Sequence, residues 1–125
     1  MTTQDVGRKL VALCNEMKNI DAVNTLFAKD VVSEEAMDMG TMPRVTKGIE
    51  GVRGKNTWWF ENHDVHAQKA MGPYPNGDQF AVVFTLDVTP KAGPMAGRRM
   101  NMQEVGIYTV KDGKIVHEKF FYSPD

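Results

Sequence analysis

The sequence predicts an α+β domain, with helices gathered in its first half and strands in its second. Three observations predict this. Apolar residues recur every three or four positions in segments before His63; after His63 the period drops to two; and Asn76-Gly77 and Asp112-Gly113 are hairpin-turn dipeptides set between alternating runs.

In chain order, Val6, Leu10, Leu13 and Met17 share one helical face, and Thr2 or Thr3 ahead of Asp5 supplies an N-cap with a favourable first-turn charge. This predicts a helix over 4–18. Ile20, Val23, Leu26 and Phe27 continue the pattern into a second helix that ends at Ala28-Lys29-Asp30. Val31 to Glu35 opens on β-branched residues and predicts a short strand. The Met- and Gly-containing connection 36–48 that follows is long enough for a lid or rim. Ile49, Val52 and Trp59 lie on one face of a third helix over 48–62, with Trp58 on a neighbouring face. Gly48, Gly51 and Gly54 mimic a glycine-rich loop, but no strand precedes them and they interleave with that helical pattern.

Val65, Ala67, Lys69 and Met71 then alternate up to the turn at 72–78, and Phe80, Val82, Phe84, Leu86 and Val88 form the clearest strand. A crossing from Pro90 to Gly97 leads to a long strand over 98–111, where Gly106 is placed for a bulge or kink. The last strand runs over 114–122. Helices segregated from a mainly antiparallel sheet should pack on the concave face of a bent sheet and leave a cavity open at one end.

Composition narrows the function. The 125 residues are 42% apolar and 25% charged, with 15 Lys+Arg against 16 Asp+Glu. This suits one ordinary globular domain, 1–125, and provides no basic footprint for nucleic acid or an anionic membrane. No apolar run approaches the roughly 20 residues of a membrane span, and the start MTTQDVGRK lacks an apolar signal core, so a cytoplasmic location is expected. The lone Cys14 excludes an internal disulfide framework and reads as a small buried hydrophobe. Nine Met, with Met37, Met39 and Met42 in one group and Met95, Met100 and Met102 in another, read first as core filler and second as an adaptable pocket wall.

The chemical signal is charge on faces that should be apolar. Met100, Met102, Glu104, Gly106, Tyr108 and Val110 share a face, which turns Glu104 inward. Val116, Glu118, Phe120 and Tyr122 share another, with Ile115 and His117 opposite, which turns Glu118 inward. Glu34 and Glu35 are adjacent, so one of them faces in, and parity leaves the choice open. A carboxylate in an apolar cavity has its charged form disfavoured, and neighbouring carboxylates push it further, giving a general acid or base near neutral pH. Tyr108 and Tyr122 are candidate donors to an oxyanion. Phe84, Met102 and Phe120 belong to the pocket wall, and one of Trp58 and Trp59 to its floor. His63 and His66 are three apart but at a helix-to-strand junction that would point them apart, so no metal site is expected.

The runs Ile20-Asp21-Ala22-Val23-Asn24-Thr25-Leu26-Phe27-Ala28-Lys29-Asp30-Val31-Val32, Gly48-Ile49-Glu50-Gly51-Val52-Arg53 and Tyr108-Thr109-Val110-Lys111-Asp112-Gly113-Lys114-Ile115-Val116 resemble the SnoaL-like polyketide-cyclase family. That family belongs to the nuclear transport factor 2-like superfamily, which includes the ketosteroid isomerases. The resemblance covers nearly the whole chain and implies a conical, cystatin-like α+β barrel with a deep pocket, while leaving the activity open. It also implies that Glu35, by an ungapped match of 26–35 to the isomerase stretch ending in the catalytic base, is the inward carboxylate. The isomerase's oxyanion-hole acid falls at about Val105 or Gly106 rather than at Glu104, and its first-helix tyrosine has no counterpart among Leu10, Val11 and Leu13. Both departures argue against a steroid isomerase.

Two functions are therefore expected. The first is a cofactor-independent enzyme of isomerase, cyclase or dehydratase type, acting on a small apolar carbonyl or hydroxyl compound, with Glu35 as proton acceptor and Glu104 and Glu118 assisting. The second is a non-catalytic ligand-binding or assembly module. Val105, Ile107 and Phe121 on the opposite sheet face favour a homodimer in either case.

Overall fold

Thr2 caps the first helix. Its hydroxyl accepts from Asp5 N at 3.1 Å and the Asp5 carboxylate accepts from Thr2 N at 3.1 Å, a reciprocal capping box that starts α1, Thr3–Asn15. The computed structural model describes residues 1–38 and 42–123. α1 buries Val6, Leu10 and Cys14, and ends earlier than its apolar pattern suggests: Met17 follows it in the left-handed region and is exposed. The end is fixed by Asn15, whose side chain donates to Ala70 O at 3.1 Å and accepts from Ala70 N at 2.8 Å. That clamp stands in for a strand neighbour and ties the helix to the sheet.

α2, Asn19–Leu26, buries Ala22, Val23 and Leu26 and passes directly into β1, Phe27–Glu34. The strand thus starts four residues before its β-branched stretch, because Phe27 and Val31 both reach the core. A short strand not evident from the sequence, β2, Val45–Lys47, pairs antiparallel with β1. The lid or rim expected at 36–48 lies partly outside the described residues, Met39 included. α3, Ile49–Asn62, follows Gly48, whose φ of 89° makes the turn into the helix; Gly51 and Gly54 lie within α3.

β3, His63–Asn76, continues through Gly72-Pro73-Tyr74-Pro75, which forms an irregularity inside the strand rather than part of the turn. A further register shift between Val65 and Ala67 reverses parity, so Gln68 and Ala70 face inward where the sequence pattern selected Ala67, Lys69 and Met71. β4, Gln79–Pro90, alternates without interruption. β5, Met100–Lys111, pairs with β4 in continuous register through Gly106, which is therefore not a bulge. A Cβ there would lie 2.8 Å from Tyr108 Cε2: the tyrosine ring lies over the glycine. Asp112-Gly113 closes the expected hairpin into β6, Lys114–Phe121. A shift between Thr109 and Val110 sets Val116 out of register, so Ile115 is core and Val116 is not, the reverse of simple alternation.

The sheet order is β2-β1-β6-β5-β4-β3, with β1 and β6 parallel and every other pairing antiparallel. The sheet is open rather than a closed barrel. All three helices contribute to the one hydrophobic cluster formed by its inward face. Among the described residues no helix is long and apolar enough to cross a membrane.

Candidate active site

Between the helices and the inward face lies a cavity of about 120 Å³. Apolar residues from α1, α2, β1 and β4 form one part of its wall, and both Trp58 and Trp59 of α3 line it. Both indoles are half-buried, and Trp59 also stacks on His63 at 3.7 Å between centroids. Phe84 and Phe120 line it as expected, whereas Met102 and Tyr122 do not. Of the methionines, Met42 reaches it.

Three carboxyls converge on this space: Glu35, Glu104 and Glu118. Glu34 instead pairs with His117 at 3.1 Å across β1 and β6, which resolves the parity question in favour of Glu35. The carboxyls have different surroundings. Glu35 forms an ion pair with Lys55 and accepts a hydrogen bond from the Tyr122 hydroxyl at 3.0 Å. Tyr122 thus stands behind Glu35 and holds it. Glu118, 3% exposed, accepts from Ser33 Oγ at 2.7 Å, and Ser33, with no exposed surface, accepts from Lys55 Nζ at 2.7 Å. Glu104 lines the cavity and, among the described residues, makes no hydrogen bond or ion pair, so Lys55 acts on it through charge alone.

Burial raises the Glu104 carboxyl to about 7, and the charges of Glu35 and Glu118 add to this while Lys55 opposes it. Burial likewise raises Glu118 to about 7, against the pull of the Ser33 hydrogen bond and of Lys55. Both carboxyls are thus shifted toward their neutral forms, and the charge of Glu118 adds to the shift of Glu104. The Tyr108 hydroxyl, 3% exposed and lining the cavity, is pushed well above its ordinary value by burial and by Glu118. It remains a donor at any ordinary pH. Burial pushes the Cys14 thiol up to about 12, which leaves it an inert part of the wall.

Sequence reasoning missed Lys55, Ser33 and Gln68. Lys55 is three residues after Val52 and four before Trp59, so the helical spacing did place it on the inward face of α3. Ser33 shares strand parity with the buried Val31. Gln68 donates to Cys14 O at 2.7 Å and to Asn19 Oδ1 at 2.9 Å, and only the reversed register of β3 brings it inward. His63 and His66 do not converge: they bond Trp59 O and Thr89 Oγ1 respectively. Among the described residues no group of side chains is arranged to hold a metal.

A family model for the SnoaL-like domain matches residues 1–122. The chain belongs to the SnoaL-like domain family. A solved candidate SnoaL-like polyketide cyclase from Mesorhizobium loti is 45% identical to this SnoaL-like domain, with 98% of this chain and 100% of that one covered at a TM-score of 0.89. A cystatin-like protein of unknown function from Xanthomonas campestris shares the fold at 17% identity and TM-score 0.78, covering 100% and 92% of the two chains. A SnoaL-like polyketide cyclase from Agrobacterium tumefaciens does so at 21% and 0.72, covering 99% and 93%. Among curated proteins there is no significant match.

Proposed function

We propose that this SnoaL-like domain is an enzyme that performs cofactor-independent acid–base chemistry, of isomerase, cyclase or dehydratase type, on a small carbonyl or hydroxyl compound. One observation carries the reading: Glu104 faces the cavity without a bound cation or donor among the described residues, and burial holds its carboxyl near 7. A general base works best when its pKa lies near the working pH and its lone pairs are uncommitted. Glu35, which the family resemblance favours as the base, is committed to Lys55 and Tyr122. Its role in this reading is to hold Lys55.

Lys55 has three N–H donors, of which Glu35 and Ser33 take two. The third, with the Tyr108 hydroxyl, is available to a substrate oxygen. Glu104 takes a proton from carbon beside a carbonyl, and the developing charge on oxygen is met by Lys55 and Tyr108. An engineered apolar cavity of about 150 Å³ admits a benzene, so about 120 Å³ suits a reacting group of similar size.

The test is exchange of the α-protons of cyclohexanone for deuterium, followed by proton NMR between pH 6 and 8. Wild type is expected to exceed buffer by at least tenfold and Glu104→Gln to lose the excess. No excess with wild type, or an undiminished one with the variant, would sink the reading.

A competing assembly role draws on the outer sheet face, where Val83, Val105 and Phe121 stand in one cross-strand row and Phe121 is 51% exposed. A light-scattering mass of one chain would remove the homodimer that this reading needs.

A further inference from the structure

The acid–base reading leaves open how Lys55 regains a proton given to a substrate oxygen. Lys55 Nζ, Ser33 Oγ and Glu118 Oε2 form a chain of two 2.7 Å hydrogen bonds. Its middle member has no exposed surface, whereas Glu118 lines the cavity, so a proton reaches Ser33 from Glu118 or Lys55 and not from water directly. A fully buried serine between an ammonium and a carboxyl is costly to place in a core unless both its hydrogen-bonding functions are used, and here both are.

We propose that Ser33 is a relay residue, passing protons between Glu118 and Lys55, and that Glu118 is the proton store for the substrate oxygen. The proposal rests on the acid–base reading of the same cavity. Lys55 loses one N–H proton to the oxygen, whose new O–H bond forms. The Ser33 hydroxyl proton moves to the Lys55 nitrogen, and the Glu118 carboxyl proton moves to Ser33 oxygen. Lys55 and Ser33 return to their starting states, Glu118 is left as carboxylate, and no electrons change hands. Meanwhile Glu104 has gained the proton lost by carbon, so the two carboxyls exchange which of them is protonated. The reverse step reloads Glu118. Lys55 can only donate to Ser33, so the Ser33 hydroxyl donates to Glu118 when that carboxyl is ionised and accepts from it when it is protonated. Rotation of one hydroxyl exchanges the two arrangements.

The groups acting electrostatically on Glu118 and its immediate surroundings are Glu35 beyond β1, Lys55 of α3, Glu104 and Tyr108 of β5, and Cys14 of α1. Of the neutral acids among these, Tyr108 and Cys14 stay protonated through the working range.

The relay can be read without turnover, from the rate at which the Lys55 ammonium protons exchange with solvent, measured by nitrogen-15 NMR from pH 5 to 9. In wild type that rate should change slope as Glu118 titrates, and Ser33→Ala should slow it by at least tenfold and remove the change of slope. Ser33→Thr keeps the hydroxyl and should restore both, and Glu118→Gln should remove the slope change with Ser33 intact. A hydroxyl that merely braced Glu118 would leave the exchange profile of Ser33→Ala like that of wild type, and this result would overturn the relay. Failure of ketone exchange with an intact ammonium profile would instead count against the substrate class and leave the relay standing.

Discussion

Lys55 of α3 and Glu35 beyond β1 form an ion pair inside the cavity, with their side chains 11% and 13% exposed. The pair connects the helical layer to the sheet and sets the charge that Glu104 and Glu118 experience, since Lys55 lowers both.

Replacing Lys55 by Met should therefore act twice. Removing one partner of a largely buried pair leaves Glu35 uncompensated and costs roughly 3 kcal/mol near pH 8, measured by urea unfolding. It should also move the joint titration of Glu104 and Glu118 upward, visible in carbon-13 spectra of the carboxyls. An unmoved titration would show that Lys55 does not control them.

Glu104→Gln should stabilise the protein at alkaline pH. The folded carboxyl titrates near 7 against an ordinary 4.5, so its contribution is complete below 4.5 and is lost as pH rises through 7. Removing the titration should gain about 3 kcal/mol at pH 8 and almost nothing at pH 4. Thermal unfolding at the two pH values checks this, and an equal effect at both would contradict the burial argument.

Gly106→Ala should destabilise by about 1–3 kcal/mol, the usual cost of overpacking. The new Cβ would meet the Tyr108 ring at 2.8 Å, and that ring is stacked on Phe80 at 5.1 Å between centroids. Pairing Gly106→Ala with Tyr108→Leu should recover part of the loss in urea titrations; no recovery would place the strain elsewhere.

The physical reasons for what was legible differ by element. β4 and β5 alternate without a break across the site, so Phe84, Glu104 and Tyr108 could be assigned inward from parity alone. Glu118 stands inward although Val116, counted on the same face, does not, because the irregularity lies before Glu118 and leaves it in step with Phe120. In β3 the same kind of irregularity misdirected the reading, and Gln68 was lost.

From the sequence come the α+β class, a helix cap at Thr2 or Thr3, the hairpins and the inward faces of Glu104 and Glu118, since these depend on periodicity and on short-range turn and cap chemistry. Tertiary structure alone decided which carboxyl is free. Glu35, Glu104 and Glu118 are the same residue type on inward faces, and their different chemistry comes from Lys55, 20 positions beyond Glu35 in the chain, and Ser33, 85 positions before Glu118. Periodicity reports the face on which a side chain stands; the partner it meets across the cavity depends on how separate elements pack.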